Sequence, residues 1–289
     1  MYPSDPPVAR GAGLYGGPTI SSTMVPPHGP PDTPGRKGTL IMRAIEVIKL
    51  SYEYPDGTPA LQEVSFSVEE GERVGLIGPN GAGKSTLLLH LNGLLPEKEA
   101  AVPSVRVFDV PATGDHLPKI RAEVGLLFQD PDDQLFCPTV AEDVAFGPRQ
   151  LGLNGKALED RVRGALAQVG LAGFETRAPH HLSRGEKRRA CLAGILACDA
   201  KILVLDEPTS DLDPRGRREL KDLLRRLPAT QIIATHDLDF AVEFCSRLIL
   251  LDGGKAVAEG PSRTILSDEK LMFSHGLEVP HFLRHLHPH

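Results

Sequence analysis

Gly78-Pro79-Asn80-Gly81-Ala82-Gly83-Lys84-Ser85-Thr86 decides how the rest of this chain is read. It follows the apolar run Val74-Gly75-Leu76-Ile77 and opens a helical stretch from Ser85 to Leu91, so the P-loop pattern G-x-x-x-x-G-K-[ST] sits between a strand and a helix. In that setting glycines at 78, 81 and 83 let the backbone wrap round a phosphate chain, with successive N–H groups and the helix N-terminus turned to the anion. Lys84 is then placed for the β- and γ-phosphates of a nucleotide, and Ser85 for Mg²⁺. Every residue from Gly78 to Thr86 is a candidate for nucleotide binding.

A chain of 289 residues, 40% hydrophobic and 24% charged, has the composition of a soluble protein of one or two domains. Its net charge of -6 opposes a nucleic-acid-coating role, which needs a basic face. Cys137, Cys191, Cys198 and Cys245 form no C-x-x-C pair, so four reduced and mostly buried thiols in the cytosol are expected. Apolar stretches such as Leu87 to Leu95 are broken by His90, Asn92 and Gly93, far short of the roughly 20 residues that span a bilayer. Work at a membrane would need another chain to supply the span.

Residues 1–41 are crowded with Pro, Gly and Ser and predict a disordered arm, with Met42 as an alternative start. Strand-like alternation begins at Met42, and Asp56-Gly57 predicts a turn before the strand Val64 to Val68. Pro96 to Pro118 reads as irregular, and Val124 to Phe128 as a strand ending at Gln129. Helices are expected over Lys156 to Val169, Glu186 to Cys198, Arg215 to Leu227 and Phe240 to Arg247. They alternate with strands at Ile202 to Leu205, Ile232 to Thr235 and Leu248 to Leu251, which predicts an α/β fold with a mostly parallel sheet covered on both faces. The tail carries His275, His281, His285, His287 and His289; a metal-binding role for it is set against that of a plain polar terminus.

Four apolar residues lead into Asp206-Glu207-Pro208, which puts a carboxylate at a strand's C-terminal end, in reach of the Mg²⁺ of a nucleotide on the P-loop. Asp206 is the candidate on the metal side. Glu207 suits an attacking water, and His236, ending the next strand, can donate to the γ-phosphate or fix that water.

The order of these pieces, with Leu182-Ser183-Arg184-Gly185-Glu186 between Gln129 and Asp206 and then Ser210-Asp211-Leu212-Asp213 and Thr235-His236-Asp237, resembles the ATPase subunits of ABC transporters over roughly residues 42–265. Tyr54-Pro55-Asp56-Gly57, the run Asp130 to Phe136, and Pro138-Thr139-Val140 with Glu142 to Pro148 look like the energy-coupling-factor branch, which imports cobalt, nickel or vitamins. The resemblance implies a P-loop NTPase (RecA-like) core over 42–270, with an antiparallel β subdomain, an ABC-specific helical subdomain at about 135–190, and a His-rich tail from 271.

It implies ATP and Mg²⁺ as cofactors, with Tyr54 stacking on adenine and Tyr52 second choice. Gln129 joins Ser85 and Asp206 on the metal side and Glu207 and His236 on the catalytic side. Ser183 and Gly185 match loop positions that touch the γ-phosphate held by a second subunit, and Asp213 matches an acid of the same interface. The partners implied are therefore a second ABC domain, identical or not, and integral membrane subunits, with no nucleic acid and a peripheral place on the cytoplasmic face. An exporter or a different importer is the alternative, and a soluble ABC ATPase acting on nucleic acid or ribosomes the rival. Arg184 and Glu186 depart from the usual Leu-Ser-Gly-Gly-Gln, and Asp211 replaces a small residue. Arg184 is expected at negative φ with its side chain outward, and Lys187-Arg188-Arg189 as a solvated helix face.

Overall fold

The structure is a computed structural model and describes residues 42–96, 103–280 and 283. The arm of residues 1–41, and His281, His285, His287 and His289 of the tail, lie outside the described residues. In chain order the elements are β1 (Arg43–Glu53), β2 (Pro59–Glu69), β3 (Arg73–Ile77), α1 (Lys84–Leu91), β4 (Val105–Val107), β5 (Val110–Pro111), α2 (Leu117–Glu123), β6 (Val124–Leu127), α3 (Val140–Gln150) and α4 (Gly155–Gln168). They continue as α5 (Arg184–Ala197), β7 (Ile202–Asp206), α6 (Pro214–Arg226), β8 (Thr230–Ala234), α7 (Leu238–Phe244), β9 (Arg247–Asp252), β10 (Lys255–Pro261), α8 (Ser262–Ser267) and α9 (Glu269–Ser274).

Two sheets result. Strands β2-β1-β4-β5 form an antiparallel sheet of four, its first hairpin turned at Asp56-Gly57 as expected. Strands β10-β9-β3-β8-β7-β6 form a sheet of six in which β9, β3, β8, β7 and β6 run parallel and only β10, at the edge, is reversed. Alternate residues of the parallel strands enter different cores, as the two-residue period of a strand demands. Leu203, Leu205, Ile233 and Leu250 belong to a core that also takes Val144, Val162 and Leu192 of α3, α4 and α5 and Leu224, Phe240 and Ile265 of α6, α7 and α8. Val204, Ile232, Ala234 and Ile249 face α1 and the antiparallel sheet, against Leu87, Leu91, Ile45 and Val47. Burial on both faces is why these strands read as unbroken apolar runs.

The structure departs from the sequence reading in several places. Pro96 to Pro118 is not wholly irregular: Val105 and Val107 are buried and β4 pairs with β1, a strand too short for its alternation to stand out. Helix α3 lies inside the expected helical subdomain but was not given bounds of its own, although Thr139 and Glu142 close a capping box at its start, a signal present in the sequence. Helix α5 begins at Arg184 rather than Glu186, because Ser183 is its N-cap and Glu186 the reciprocal partner of that cap. Helix α7 stops at Phe244, and Arg247 instead opens β9, paired with β3 and with its guanidinium on Glu72 at 2.8 and 2.9 Å.

After the Gly253-Gly254 turn the chain adds β10, α8 and α9. A boundary at 270 thus falls inside α9, and Met272, Val279 and Leu283 lie in the core. All four cysteines are free, Cys191 and Cys245 buried and Cys137 and Cys198 partly so.

Candidate functional site

Because β3, β6, β7 and β8 run parallel, their C-terminal ends open on one edge of the sheet, where an open α/β sheet binds its ligands. That edge receives the loop after Ile77, Gln129, the pair Asp206-Glu207, and Thr235-His236. A cleft of about 350 Å³ there is lined by Asn80, Gly81, Ala82, Gly83, Lys84, Ser85, Gln129, Asp206 and Glu207. A larger groove of about 870 Å³, between α4 and the N-terminal ends of β7 and β8, contains none of these residues.

The loop is fixed from behind by two of its glycines. Gly78 has φ 149° and Gly83 φ 98°, and a Cβ added to either would stand 2.0 Å from the Leu251 carbonyl oxygen or 2.6 Å from that of Ala60. Only glycine meets both demands. Lys84, 9% exposed, donates from Nζ to the carbonyls of Gly78 (2.8 Å) and Pro79 (3.0 Å), which holds its ammonium over the loop. Burial lowers the Lys84 pKa, and the facing carboxylates of Glu207 and Asp206 oppose that shift. Two residues on, the Thr86 hydroxyl is 2.8 Å from the Tyr54 hydroxyl, which places that ring beside the start of α1. Tyr52 packs instead edge-on against buried His90, with ring centroids 4.7 Å apart.

Asp206 and Glu207 are each 6% exposed. The Glu207 backbone sits at φ 46°, a left-handed conformation that costs a non-glycine residue on the order of 1 kcal/mol or more. Its N–H donates to Ala234 (2.9 Å), and its carboxylate accepts from the Thr235 hydroxyl (3.3 Å) and meets His236 Nδ1 at 2.8 Å. Burial raises the pKa of Asp206; the Ser85 hydroxyl opposes it, Glu207 adds to it, and Lys84 and Arg188 oppose it. Two adjacent buried carboxylates faced by one buried ammonium leave room for a further cation. The oxygen donors of Ser85, Gln129 and Asp206 in one cleft suit Mg²⁺, a hard ion that takes oxygen ligands.

Three expected residues lie apart from this cleft. Ser183 caps α5, accepting from Glu186 N (3.4 Å), while Glu186 Oε2 accepts from Ser183 N (2.8 Å) and from its hydroxyl (2.7 Å). Gly185 is the second residue of the helix, and Asp213 caps α6 by accepting from Gly216 N at 2.6 Å. The Arg184 side chain does not simply point to water: its Nε is 3.2 Å from Asp211 and its Nη2 3.8 Å from Asp130.

The run Lys187-Arg188-Arg189 is not a solvated face either. Arg188 has a side chain only 3% exposed and donates to the carbonyls of Glu207 (2.6 Å) and Gln129 (3.0 Å). It had a signal in the sequence, since residues 188, 191, 192 and 195 follow one helical stripe and all are buried.

The chain matches the family model for ABC transporters over residues 61–210. It is 53% identical over 237 residues, 82% of this chain and 89% of the relative, to a Streptomyces avermitilis protein named as an ABC transporter ATP-binding protein. It is 49% identical over 241 residues, 82% of this chain and 76% of the relative, to the energy-coupling factor transporter ATP-binding protein EcfA of Methanothermobacter thermautotrophicus. Among solved structures, CbiO1 of Clostridium perfringens, part of the ABC transporter complex CbiONQ, superimposes with a TM-score of 0.69 at 33% identity, covering 84% of this chain and 98% of that one. The ATP-binding cassette MJ0796, as a dimer in a post-hydrolysis state bound to ADP and Pi, does so at 0.68 and 27% identity, covering 75% and 98%. No helix among the described residues is long and apolar enough to cross a membrane. The chain belongs to the ABC transporter family, as an ATP-hydrolysing, ATP-binding protein of the energy-coupling-factor type.

Proposed function

We propose that this chain is the ATPase of an importer, that it closes on Mg-ATP as a dimer, and that closure and hydrolysis drive uptake of cobalt, nickel or a vitamin through membrane subunits. The observation that carries the dimer is the separation just described. Lys84, Asp206 and Glu207 converge on one cleft, while Ser183 and Gly185 stand outside it on the exposed start of α5. A second copy or a homologous subunit brings that helix N-terminus, with its unpaired N–H groups and positive dipole end, to the open side of the cleft. That the similar cassette MJ0796 is a dimer when bound to ADP and Pi supports a dimer here.

Within each site, Tyr54 stacks on the adenine, residues 78–86 bind the phosphates, and Lys84 leaves its loop carbonyls for the β- and γ-phosphates. Ser85, Gln129 and Asp206 would hold Mg²⁺, which supplies charge neutralisation to the phosphates when bound. Glu207 orients the attacking water and accepts its proton, and His236, bonded to Glu207 and 69% exposed, reaches toward the γ-phosphate. Asp213 lies on the surface that faces the second subunit.

The stretch after Gln129 fits a docking place for the membrane partner. Phe136 (66% exposed) and Phe146 (44% exposed) meet edge to face at 5.0 Å, an aromatic pair open to solvent. The segment is firmly seated, because Asp143 Oδ1 accepts from the N–H groups of Phe136 (3.0 Å) and Cys137 (2.9 Å). Exposed aromatic pairs on a rigid base are typical anchors of protein interfaces. The names of the EcfA and CbiO relatives favour the energy-coupling-factor assembly over other importers.

Purification of the tagged chain from detergent-solubilised membranes is expected to bring down a multi-spanning subunit, whose substrate-binding companion identifies the cargo. The double variant Phe136→Ser/Phe146→Ser is expected to lose that subunit. Recovery of ribosomes or nucleic acid, with no membrane protein, would overturn the importer reading.

A further inference from the structure

Arg188 lies one helical turn inside α5, the helix whose first residues carry Ser183 and Gly185. Its guanidinium forms a fork between two loops of its own subunit's cleft, with Nη1 on the Glu207 carbonyl (2.6 Å) and Nη2 on that of Gln129 (3.0 Å). The same Nη2 is 3.8 Å from Asp211, whose other partner is Arg184 Nε at 3.2 Å. Arg184 and Arg188 are four residues apart on one helix face, and Asp211 answers both charges. Holding this place leaves Arg188 Nε buried and unpaired. A buried donor without a partner is a cost to the fold, accepted here to keep the two carbonyl bonds.

The position matters because Glu207 is strained. At φ 46° its peptide is held by Ala234 on one side and, at the carbonyl, by Ser210 N (3.1 Å) and Arg188. A charged, planar fork on that carbonyl fixes the direction of the residue, and sharing the fork with Gln129 fixes the spacing of the two side chains that line the cleft.

We propose that Arg188 is a positioning residue for ATP hydrolysis. It sets Glu207 and Gln129 in their own cleft and, through Asp211 and Arg184, ties that setting to the loop at Ser183. The second half rests on the dimer reading above: the loop at Ser183 serves the partner's ATP, so the tie makes the two sites of a dimer act together.

The test measures kcat, KM for ATP and the Hill coefficient on the full chain, normalised to folded protein by circular dichroism. Arg188→Lys keeps the charge, but an ammonium on a flexible stem lacks the rigid planar fork that sets the spacing of these two carbonyls. It is expected to lower kcat on the order of 10- to 100-fold, as a misplaced reacting group does, with KM within about twofold because residues 78–86 are untouched. Asp211→Gly keeps both carbonyl bonds of Arg188 and removes the link to Arg184; glycine suits the φ of 60° there, so the variant is expected to fold. Its Hill coefficient is expected to fall toward 1 with a smaller change in kcat.

Wild-type kcat in Arg188→Lys, or a rise in KM as large as the fall in kcat, would overturn the positioning role. Should Arg188→Lys fail to fold, Asp211→Gly decides, and a wild-type Hill coefficient in it overturns the tie. Absence of any cooperativity in the wild type would instead count against the dimer reading, and the kcat of Arg188→Lys would still judge the positioning role by itself.

Discussion

Glu207→Gln is expected to keep ATP binding and to slow hydrolysis on the order of 10²- to 10⁴-fold, the usual worth of a general base. The amide has the shape of the carboxylate and its oxygen still accepts from Thr235 and faces His236, so the strained turn at residue 207 is retained. What disappears is the proton acceptor. Removing the Glu207 charge also relieves Asp206, whose pKa that charge helps to raise, so the metal-side carboxylate ionises more readily. Nucleotide affinity is therefore expected to hold or improve while phosphate release collapses. Phosphate release at the wild-type rate would take Glu207 out of this role.

Lys84→Ala is expected to act at the other step. It removes the buried ammonium that bonds the loop carbonyls and faces the two carboxylates, and with it the charge-assisted bonds to the triphosphate, worth about 1.5–3 kcal/mol. That corresponds to roughly a 10- to 100-fold loss in affinity for ATP. The uncompensated pair Asp206-Glu207 repels the incoming phosphates as well, so turnover at a fixed ATP concentration falls further than binding. Titration with a fluorescent ATP analogue measures the first effect. Unchanged affinity in Lys84→Ala would show that the ammonium stays on Gly78 and Pro79 and takes no part in binding.

The contrast between these two residues and Arg188 shows what a sequence discloses. Gly78 and Gly83 were legible from the spacing of the P-loop pattern, and the close approach to Leu251 and Ala60 is why no other residue serves there. Asp206 and Glu207 were legible because a strand buried on both faces, running straight into two acids, has few physical explanations. Arg188 was read as surface charge because its neighbours are charged; only the stripe it shares with Cys191, Leu192 and Ile195 tells that it faces inward. Composition hides such a residue, and periodicity finds it.

The expected helical subdomain at about 135–190 includes Val140 to Gln150, but this helix was not delimited within it, because it is announced by Thr139 and Glu142 at the cap rather than by a broad apolar face. Strands β4 and β5, of three and two residues, carry too little alternation to be seen without the partner strand β1. Ser183 and Gly185 were legible only through the resemblance of their loop, because composition and periodicity say nothing of a ligand that belongs to another chain in the proposed dimer.

Sedimentation of Glu207→Gln with and without ATP and Mg²⁺ shows whether nucleotide closes two copies on each other. A monomer, or a loosely associated species, is expected without nucleotide and a stable dimer holding two ATP molecules with it, since each cleft is closed by the Ser183 loop of its neighbour. A variant that binds ATP with full affinity yet sediments as a monomer at every concentration would contradict it.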